Sequence, residues 1–333
     1  MNQPTRRAVN QALAALLAGL ALTQTALAAE DAAAYPSKPI TIVVGFPPGG
    51  PTDIIARVVA TKLSQTWGKP VVVENKPGAG SNIATEQVVR AAPDGYTLLV
   101  ETIANATNMT VYKKLNYDTR RDLTPIVQFM ASPSVLVTGP KVPAKNLKEL
   151  IALAKAEPEK YNYASSGVGS VHHLAGELFK SQTGVRIAHV PYRGAGPALT
   201  DLVGGQIPVM FATIGPSLQM IAAGKVKALG VTSSKRSKAL PDVPTVAEQG
   251  LKGYEAVLWF SMVAPPGLPA PVATRLQKEL QAVLVDPKVI EELEKLGNDD
   301  IGPRTPKEVA ALIKAENEKW RRVIKEANIT VDS

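Results

Sequence analysis

The sequence predicts an α/β protein built in two halves, and three observations point to it. Apolar strand-like runs alternate with helical periodicity from Ile40 onward, the pattern of parallel strands joined by crossover helices that cover both sheet faces. Glycine- and hydroxyl-rich turns separate strand from helix in most of these units. The alternation changes character over Leu123–Gly139, where Ser132-Pro133-Ser134 breaks two apolar runs, and then begins again. That restart marks a second domain.

The first unit organises the rest. Ile40–Val44 is a short β-branched run of the kind that forms a buried strand. Phe46-Pro47-Pro48-Gly49-Gly50-Pro51 can continue neither strand nor helix. Thr52 or Asp53 can then cap a helix whose apolar positions run from Ile54 to Trp67, with Gly68 as its stop. A glycine turn aimed at a helix N-terminus offers free N–H groups and a partial positive charge, which suits an anion. The prolines have no N–H, so the donors are Gly49, Gly50, Thr52 and Asp53. The same turn also reads as a plain strand-to-helix connection that holds nothing.

Further strands are expected at Pro70–Glu74 and Tyr96–Val100, with helices following each, through Val89 and to near Leu115. Ligands of such sheets sit beyond the carboxyl ends of strands, and both Phe46–Asp53 and Thr102–Asn105 lie at that edge. In the second half, helices are expected over Leu147–Ala156, Val171–Thr183 and Ala198–Val203. Strands are expected over Tyr161–Ala164, Val185–Pro191, Val209–Ala212 and Val226–Thr232. Ser165-Ser166-Gly167-Val168-Gly169-Ser170 and Tyr192-Arg193-Gly194-Ala195-Gly196-Pro197 repeat the device of the first turn. Two lobes with facing anion-friendly rims describe a clamp. Trp259–Val263 reads as the strand that returns to the first lobe. Helices Pro271–Val285 and Pro306–Ala327, with a short one at Pro287–Leu296 between them, are expected to pack on that lobe.

Met1–Ala28 reads as an export signal: Arg6 and Arg7, the apolar Ala12–Leu22, then Ala26-Leu27-Ala28 as a small-x-small cleavage site. Thr5-Arg6-Arg7 hints at twin-arginine export, though two arginines suit the ordinary secretory route as well. The apolar core falls short of the roughly 20 residues that span a bilayer. The chain has no cysteine, hence neither disulfides nor a lipid anchor on an N-terminal cysteine, so a freely soluble exported protein is expected. About 300 residues would remain, enough for two ordinary cores.

The net charge of +8 is spread along the chain. Its densest patch, Lys235-Arg236-Ser237-Lys238, lacks interleaved aromatic residues and reads as a solvated loop rather than a nucleic-acid platform. Gly78-Ala79-Gly80 resembles a dinucleotide fingerprint, but Ile83 stands where the third glycine belongs. No nucleotide cofactor is expected. His172, His173 and His189 are the only histidines, too few for a structural zinc site without cysteine. His173 and Glu177, one helical turn apart, read as a surface or helix-start pair rather than as metal ligands. No nucleophile elbow stands at a strand–helix junction. Scattered triads are recognised by geometry, so sequence leaves a cleft hydrolase open. Binding is favoured over catalysis, with no catalytic residue, metal or cofactor assigned.

YPSKPITIVVGFPPGGPTDIIAR, VVVENKPGAGSNIA, APDGYTLLV, YNYASSGVGSVHHLAGELF, VPYRGAGPALTDLVGGQI, VKALGVTSSKRSKALPDVPTVAEQG and LWFSMVAPPGLP occur in that order. With these the chain closely resembles the substrate-binding receptors of tripartite tricarboxylate transporters, the Bug receptors, over nearly all of its mature length. The resemblance implies a type II periplasmic-binding-protein fold, two α/β lobes joined by two crossing strands with a ligand cleft between them. By that topology residues 29–131 and 258–333 form a discontinuous first lobe and residues 132–257 the second. It implies no enzyme but a periplasmic solute receptor for a small di-, tri- or aromatic carboxylate. Delivery to membrane permease subunits is implied, with presentation to a sensor kinase as the alternative, and a monomer is expected.

The matching rim positions are Phe46, Pro48, Gly49, Gly50, Thr52 and Asp53, with Thr102 and Asn105, on the first lobe. On the second they are Ser165, Ser166, Gly167, Ser170, Tyr192, Arg193, Gly194 and Thr213. The resemblance implies a carboxylate held mainly by backbone N–H groups, hydroxyls and ordered water rather than by an arginine. Relatives often carry an acid after Gly-Gln-Ile where Pro208 stands here. If that acid meets an amino group, an amino-acid ligand is disfavoured; the position also reads as structural.

Overall fold

The structure, a computed structural model, describes residues 34–295, 297–298 and 300–329. The export signal expected over Met1–Ala28 lies outside the described residues. Strands β1 (Ile40–Val44), β2 (Val71–Asn75) and β3 (Thr97–Thr102) alternate with helices α1 (Pro51–Trp67), α2 (Asn82–Val89) and α3 (Ile103–Val111). β1 pairs in parallel with both β2 and β3, the crossover arrangement expected of such alternation. Ile42, Val44, Leu98 and Val100 face a core closed by Ile55, Val59 and Leu63 of α1. Val43 and Leu99 face Ala84 and Val88 of α2 on the other side. Burial on both faces explains why these strands read as continuous apolar runs. α3 stops at Val111, because Tyr112 is already extended, rather than near Leu115.

The stretch expected to break at Ser132-Pro133-Ser134 is one strand of 15 residues, β4 (Thr124–Thr138). A proline removes only its own ladder donor, and the neighbours on either side find partners. Up to Pro133, β4 pairs antiparallel with β9 (Val257–Ala264). From Ser134 it pairs with β7 (Val209–Thr213) and β8 (Lys227–Val231), while Ser134 N–H donates to Thr232 Oγ1 at 2.9 Å. β10 (Asp300–Arg304), which the sequence expectations do not include, pairs antiparallel with β4 at Gln128, Met130 and Ala131.

The second half adds α4 (Leu147–Ala156), β5 (Tyr163–Ser165), α5 (Val171–Thr183), β6 (His189–Pro191), α6 (Ala195–Val203) and α7 (Ile214–Ala222). Among the described residues the sheet path is β2-β1-β3-β9-β4-β7-β5-β6, with β8 and β10 both joined to β4. The strand expected from Val185 begins only at His189, since Val185 and Ile187 bury their side chains without joining a ladder. α7 is a helix that the sequence expectations do not include, and it carries Gly215-Pro216 at its start. Pro216 falls in the first helical turn, where no N–H is required.

Three helices close the chain: α8 (Ala270–Leu284), α9 (Pro287–Glu294) and α10 (Pro306–Glu326). α10 does not serve the first half alone. Its Ile313, Trp320 and Val323 share one core with Ile103 and Ala106 of α3, Leu174 and Phe179 of α5, and Trp259 of β9. Trp320 Nε1 donates to Glu316 Oε2 at 2.7 Å, and Ser181 Oγ of α5 donates to Glu326 Oε2 at 2.9 Å. This helix therefore spans both halves. Among the described residues no helix is long and apolar enough to cross a membrane.

Candidate functional site

Register along β4 sets the frame. Thr102, at the carboxyl end of β3, lies opposite Phe260, which lies opposite Met130 of β4. Thr213, at the carboxyl end of β7, lies opposite Ser134. β7 runs antiparallel to β4 and parallel to β5, and β5 runs parallel to β6. The carboxyl ends of β1 and β3 thus point towards those of β5, β6 and β7, with the stretch Met130–Ser134 between them. That is roughly 13 Å of extended chain.

On the first side, Gly45 lets the end of β1 pass close to Ser81: a Cβ there would lie 1.8 Å from Ser81 Oγ. Phe46 is half-buried against the first-half core, and its carbonyl accepts from Asn75 Nδ2 at 3.1 Å. Pro48 and Gly49 are exposed. The helix cap is Gly50, not Thr52 or Asp53, with Pro51 as the first helical residue. Ile54 N–H closes the first turn on Gly50 O. A glycine cap brings no side-chain acceptor, so the N–H groups of Gly50, Thr52 and Asp53 have no partner among the described residues.

Gly49 differs from the expectation, because its N–H donates to Asp53 Oδ2 at 2.9 Å. The Asp53 carboxylate, almost fully buried, also accepts from Arg57 Nε at 3.0 Å and Asn75 Nδ2 at 2.9 Å. Arg57 chiefly, with help from the Gly49 and Asn75 donors and against the cost of burial, holds the Asp53 carboxyl down to a pKa of about 2. The acid thus serves the turn rather than facing an anion. Thr102 and Asn105 are buried and occupied with the start of α3. Thr102 N–H donates to Asn105 Oδ1 at 2.9 Å, Ala104 N–H to Thr102 Oγ1 at 3.3 Å, and Asn105 Nδ2 to Thr85 Oγ1 at 2.7 Å.

On the second side, the loops after β5 and β6 are tied together. Tyr192 N–H donates to Ser165 O at 3.1 Å and Gly194 N–H to Ser166 O at 3.2 Å. Gly167, at φ 138°, has a conformation that L side chains avoid. Its N–H donates to Ser165 Oγ at 3.1 Å and its carbonyl accepts from Ser170 Oγ at 2.7 Å. Ser170 caps α5 by accepting from His173 N–H at 3.3 Å. Gly194 starts α6 and Thr213 starts α7, neither helix having a side-chain cap. The Tyr192 hydroxyl donates to Asp201 Oδ2 at 2.8 Å. Arg193 is exposed and forms no ion pair among the described residues.

The histidines are what sequence reasoning missed. Ser166 Oγ lies 2.8 Å from His172 Nδ1, and Thr213 Oγ1 lies 3.3 Å from His172 Nε2. Ser165 Oγ lies 2.6 Å from His189 Nε2. His173 takes the Gly169 N–H on Nδ1 at 3.0 Å and stacks on His189 with ring centres 3.7 Å apart. His173 and Glu177 are a pair at the start of α5 but not a surface one: both are buried, and Glu177 accepts from the Tyr163 hydroxyl at 2.7 Å and from Lys180 at 2.9 Å. Burial pushes all three histidines down to about 4, with Lys180 adding to this at His173 and the His173 ring adding to it at His189. They are neutral at pH 7. The only sequence signal was their position, in the first turn of α5 and beside the Tyr192 loop.

Among the described residues no group of three His, Cys, Asp or Glu side chains could hold a metal. Arg236 and Lys238 of the basic loop pair with Glu248 and Glu294. A cavity of about 530 Å³ lies between the end of α3 and α10, away from both rims, and includes Arg120, Lys314 and Arg321 beside Glu318. The rims together offer open helix N-termini, hydroxyls on neutral imidazoles and one exposed guanidinium. That chemistry suits an anion.

A sequence profile described as "Tripartite tricarboxylate transporter family receptor" matches residues 55–329. BugT of Bordetella pertussis is 37% identical over 294 residues, covering 88% of this chain and 90% of BugT. Among solved structures, an R. palustris protein with adipate superposes with a TM-score of 0.77 at 35% identity, covering 89% of this chain and 100% of that one. MatC from Rhodopseudomonas palustris with bound malate gives 0.74 at 34% identity, covering 87% and 100%.

Proposed function

This chain belongs to the tripartite tricarboxylate transporter receptor family, and we propose that it captures a small organic carboxylate between two lobes and hands it to membrane permease subunits. Members of this family are substrate-binding receptors rather than enzymes, and the fold is that of periplasmic binding proteins. The observation that carries the reading is the pair of facing rims, each presenting helix N-termini without side-chain caps. A helix N-terminus favours an anion by about 0.3–1 kcal/mol when exposed and up to ~2 when partly buried. One carboxylate end would take the Gly50, Thr52 and Asp53 N–H groups. The other end would take Thr213 and the Arg193 side chain, beside the Ser166–Gly167 turn. Relatives holding adipate and malate make a dicarboxylate the leading class.

In this reading residues 29–131 and 258–333 move against residues 132–257, with β4 and β9 as the crossings, and Met1–Ala28 directs export as a soluble monomer. Calorimetry with adipate, malate, citrate and benzoate tests the ligand, and solution scattering tests the closure. At least one of these acids should bind and reduce the radius of gyration. Binding by none, or binding without compaction, would reject the reading.

A further inference from the structure

His172 stands between two rim hydroxyls that belong to different elements, Ser166 in the turn after β5 and Thr213 at the start of α7. It is buried, and desolvation keeps it neutral. A neutral imidazole has one N–H donor and one bare acceptor nitrogen, so the two hydroxyls on its opposite edges must behave oppositely. One gives its proton to the ring; the other receives the ring's proton and keeps its own free. The two contacts differ in length, and the shorter one points to the hydroxyl that donates to the ring. At 2.8 Å the Ser166 Oγ–Nδ1 contact sits at the commonest O–H donor length, whereas the 3.3 Å Thr213 Oγ1–Nε2 contact is longer than that and slightly beyond the usual N–H···O range. Among the described residues neither ring nitrogen has another partner.

We propose that His172 sets the hydrogen-bonding polarity of this rim, making Thr213 a donor and Ser166 an acceptor towards the bound solute. The proposal rests on the carboxylate-receptor reading and narrows it. Thr213, its own proton free, matches a carboxylate oxygen. Ser166, its proton committed to Nδ1, matches a group that itself donates, such as the hydroxyl of a 2-hydroxy acid. His172 is a positioning residue, since it acts through these two hydroxyls. It makes the second-side rim selective between carboxylates of equal length that differ by a hydroxyl.

Two measurements test this. Nitrogen NMR of the histidine-labelled protein without added solute should find His172 protonated on Nε2 and bare on Nδ1; the reverse tautomer, or a mixture of the two, overturns the proposal. Calorimetry with malate and succinate, which differ by one hydroxyl, supplies the second. Thr213→Val should weaken both acids roughly tenfold or more, the loss of a bond to a charged group. Ser166→Ala should weaken malate by several-fold more than it weakens succinate. His172→Met, with its melting temperature checked against the parent, should reduce the malate preference, and adding Ser166→Ala to it should cost malate little more. Equal losses for both acids in Ser166→Ala, or additive losses in the double variant, would overturn it. If neither acid binds, the dicarboxylate reading fails while the nitrogen shifts still decide the proposal.

Discussion

Replacing Glu101 by Gln should stabilise the protein, and by an amount that grows with pH. Glu101 is fully buried in β3, and neither carboxyl oxygen has a hydrogen-bond partner among the described residues. Its cross-strand neighbour is Ser261, whose hydroxyl is likewise buried without a partner. Desolvation pushes the Glu101 carboxyl up to a pKa of about 8 from the usual 4.5. Between those values the folded chain keeps a proton that the unfolded chain has released, so native stability falls as pH rises from 4.5 to 8. At about 1.4 kcal/mol per unit, the penalty reaches on the order of 3–5 kcal/mol by pH 8. Glutamine has the same shape, stays neutral at every pH and can offer its amide to Ser261. Parent and variant should therefore melt together near pH 4.5 and separate progressively above it, by roughly 5 °C or more at pH 8 for a chain of this size. Shared titrations, including those of the three histidines, cancel in the difference. A melting difference that stays constant from pH 4.5 to 8, or that favours the parent at high pH, would refute the reasoning.

Asp53→Asn should lower stability at pH 7 by roughly 1–2 kcal/mol, because the carboxylate paired with Arg57 has its pKa lowered from 3.8 to about 2. That contribution is complete above pH 3.8 and lost as pH falls through 2, so parent and variant should converge in acid. Gly297→Ala should destabilise by about 1–3 kcal/mol, since Gly297 has φ 82° and a Cβ there would lie 2.6 Å from Gly215 N; an unchanged urea midpoint would contradict this contact. A chelator should leave carboxylate affinity unchanged in calorimetry; a large loss restored by one divalent ion would oppose the metal-free reading.

Most of the fold was legible because single elements announced themselves in their own residues. α4 and α5 start and stop at the expected residues, for each has a polar N-cap, an apolar stripe and a clear end. β1, buried on both faces, could be read from its β-branched run. What escaped depended on partners far away in sequence. β4 continues through Pro133 because β9 releases it as β7 and β8 take it up, and no local pattern contains that exchange. α10 looked like an ordinary amphipathic helix, yet its buried face meets α3 and α5 together. Amphipathicity tells which face is covered, not by what.

The candidate site divides along the same line. Backbone donors were visible, because Gly49-Gly50-Pro51 dictates a turn and the helix after it must leave its first N–H groups open. Which donors stay open was not visible. Asp53 withdraws the Gly49 N–H by reaching back across the turn, and it can do so because Arg57 and Asn75 hold its carboxylate in place. Serines could be counted, but the direction of their protons depends on His172 and His189, placed there by α5 and β6. A search for histidines as metal ligands asks for three or four converging on one point. Here each is shared instead between a turn and its neighbour, so the residues that most constrain the rim are the ones a metal search discards.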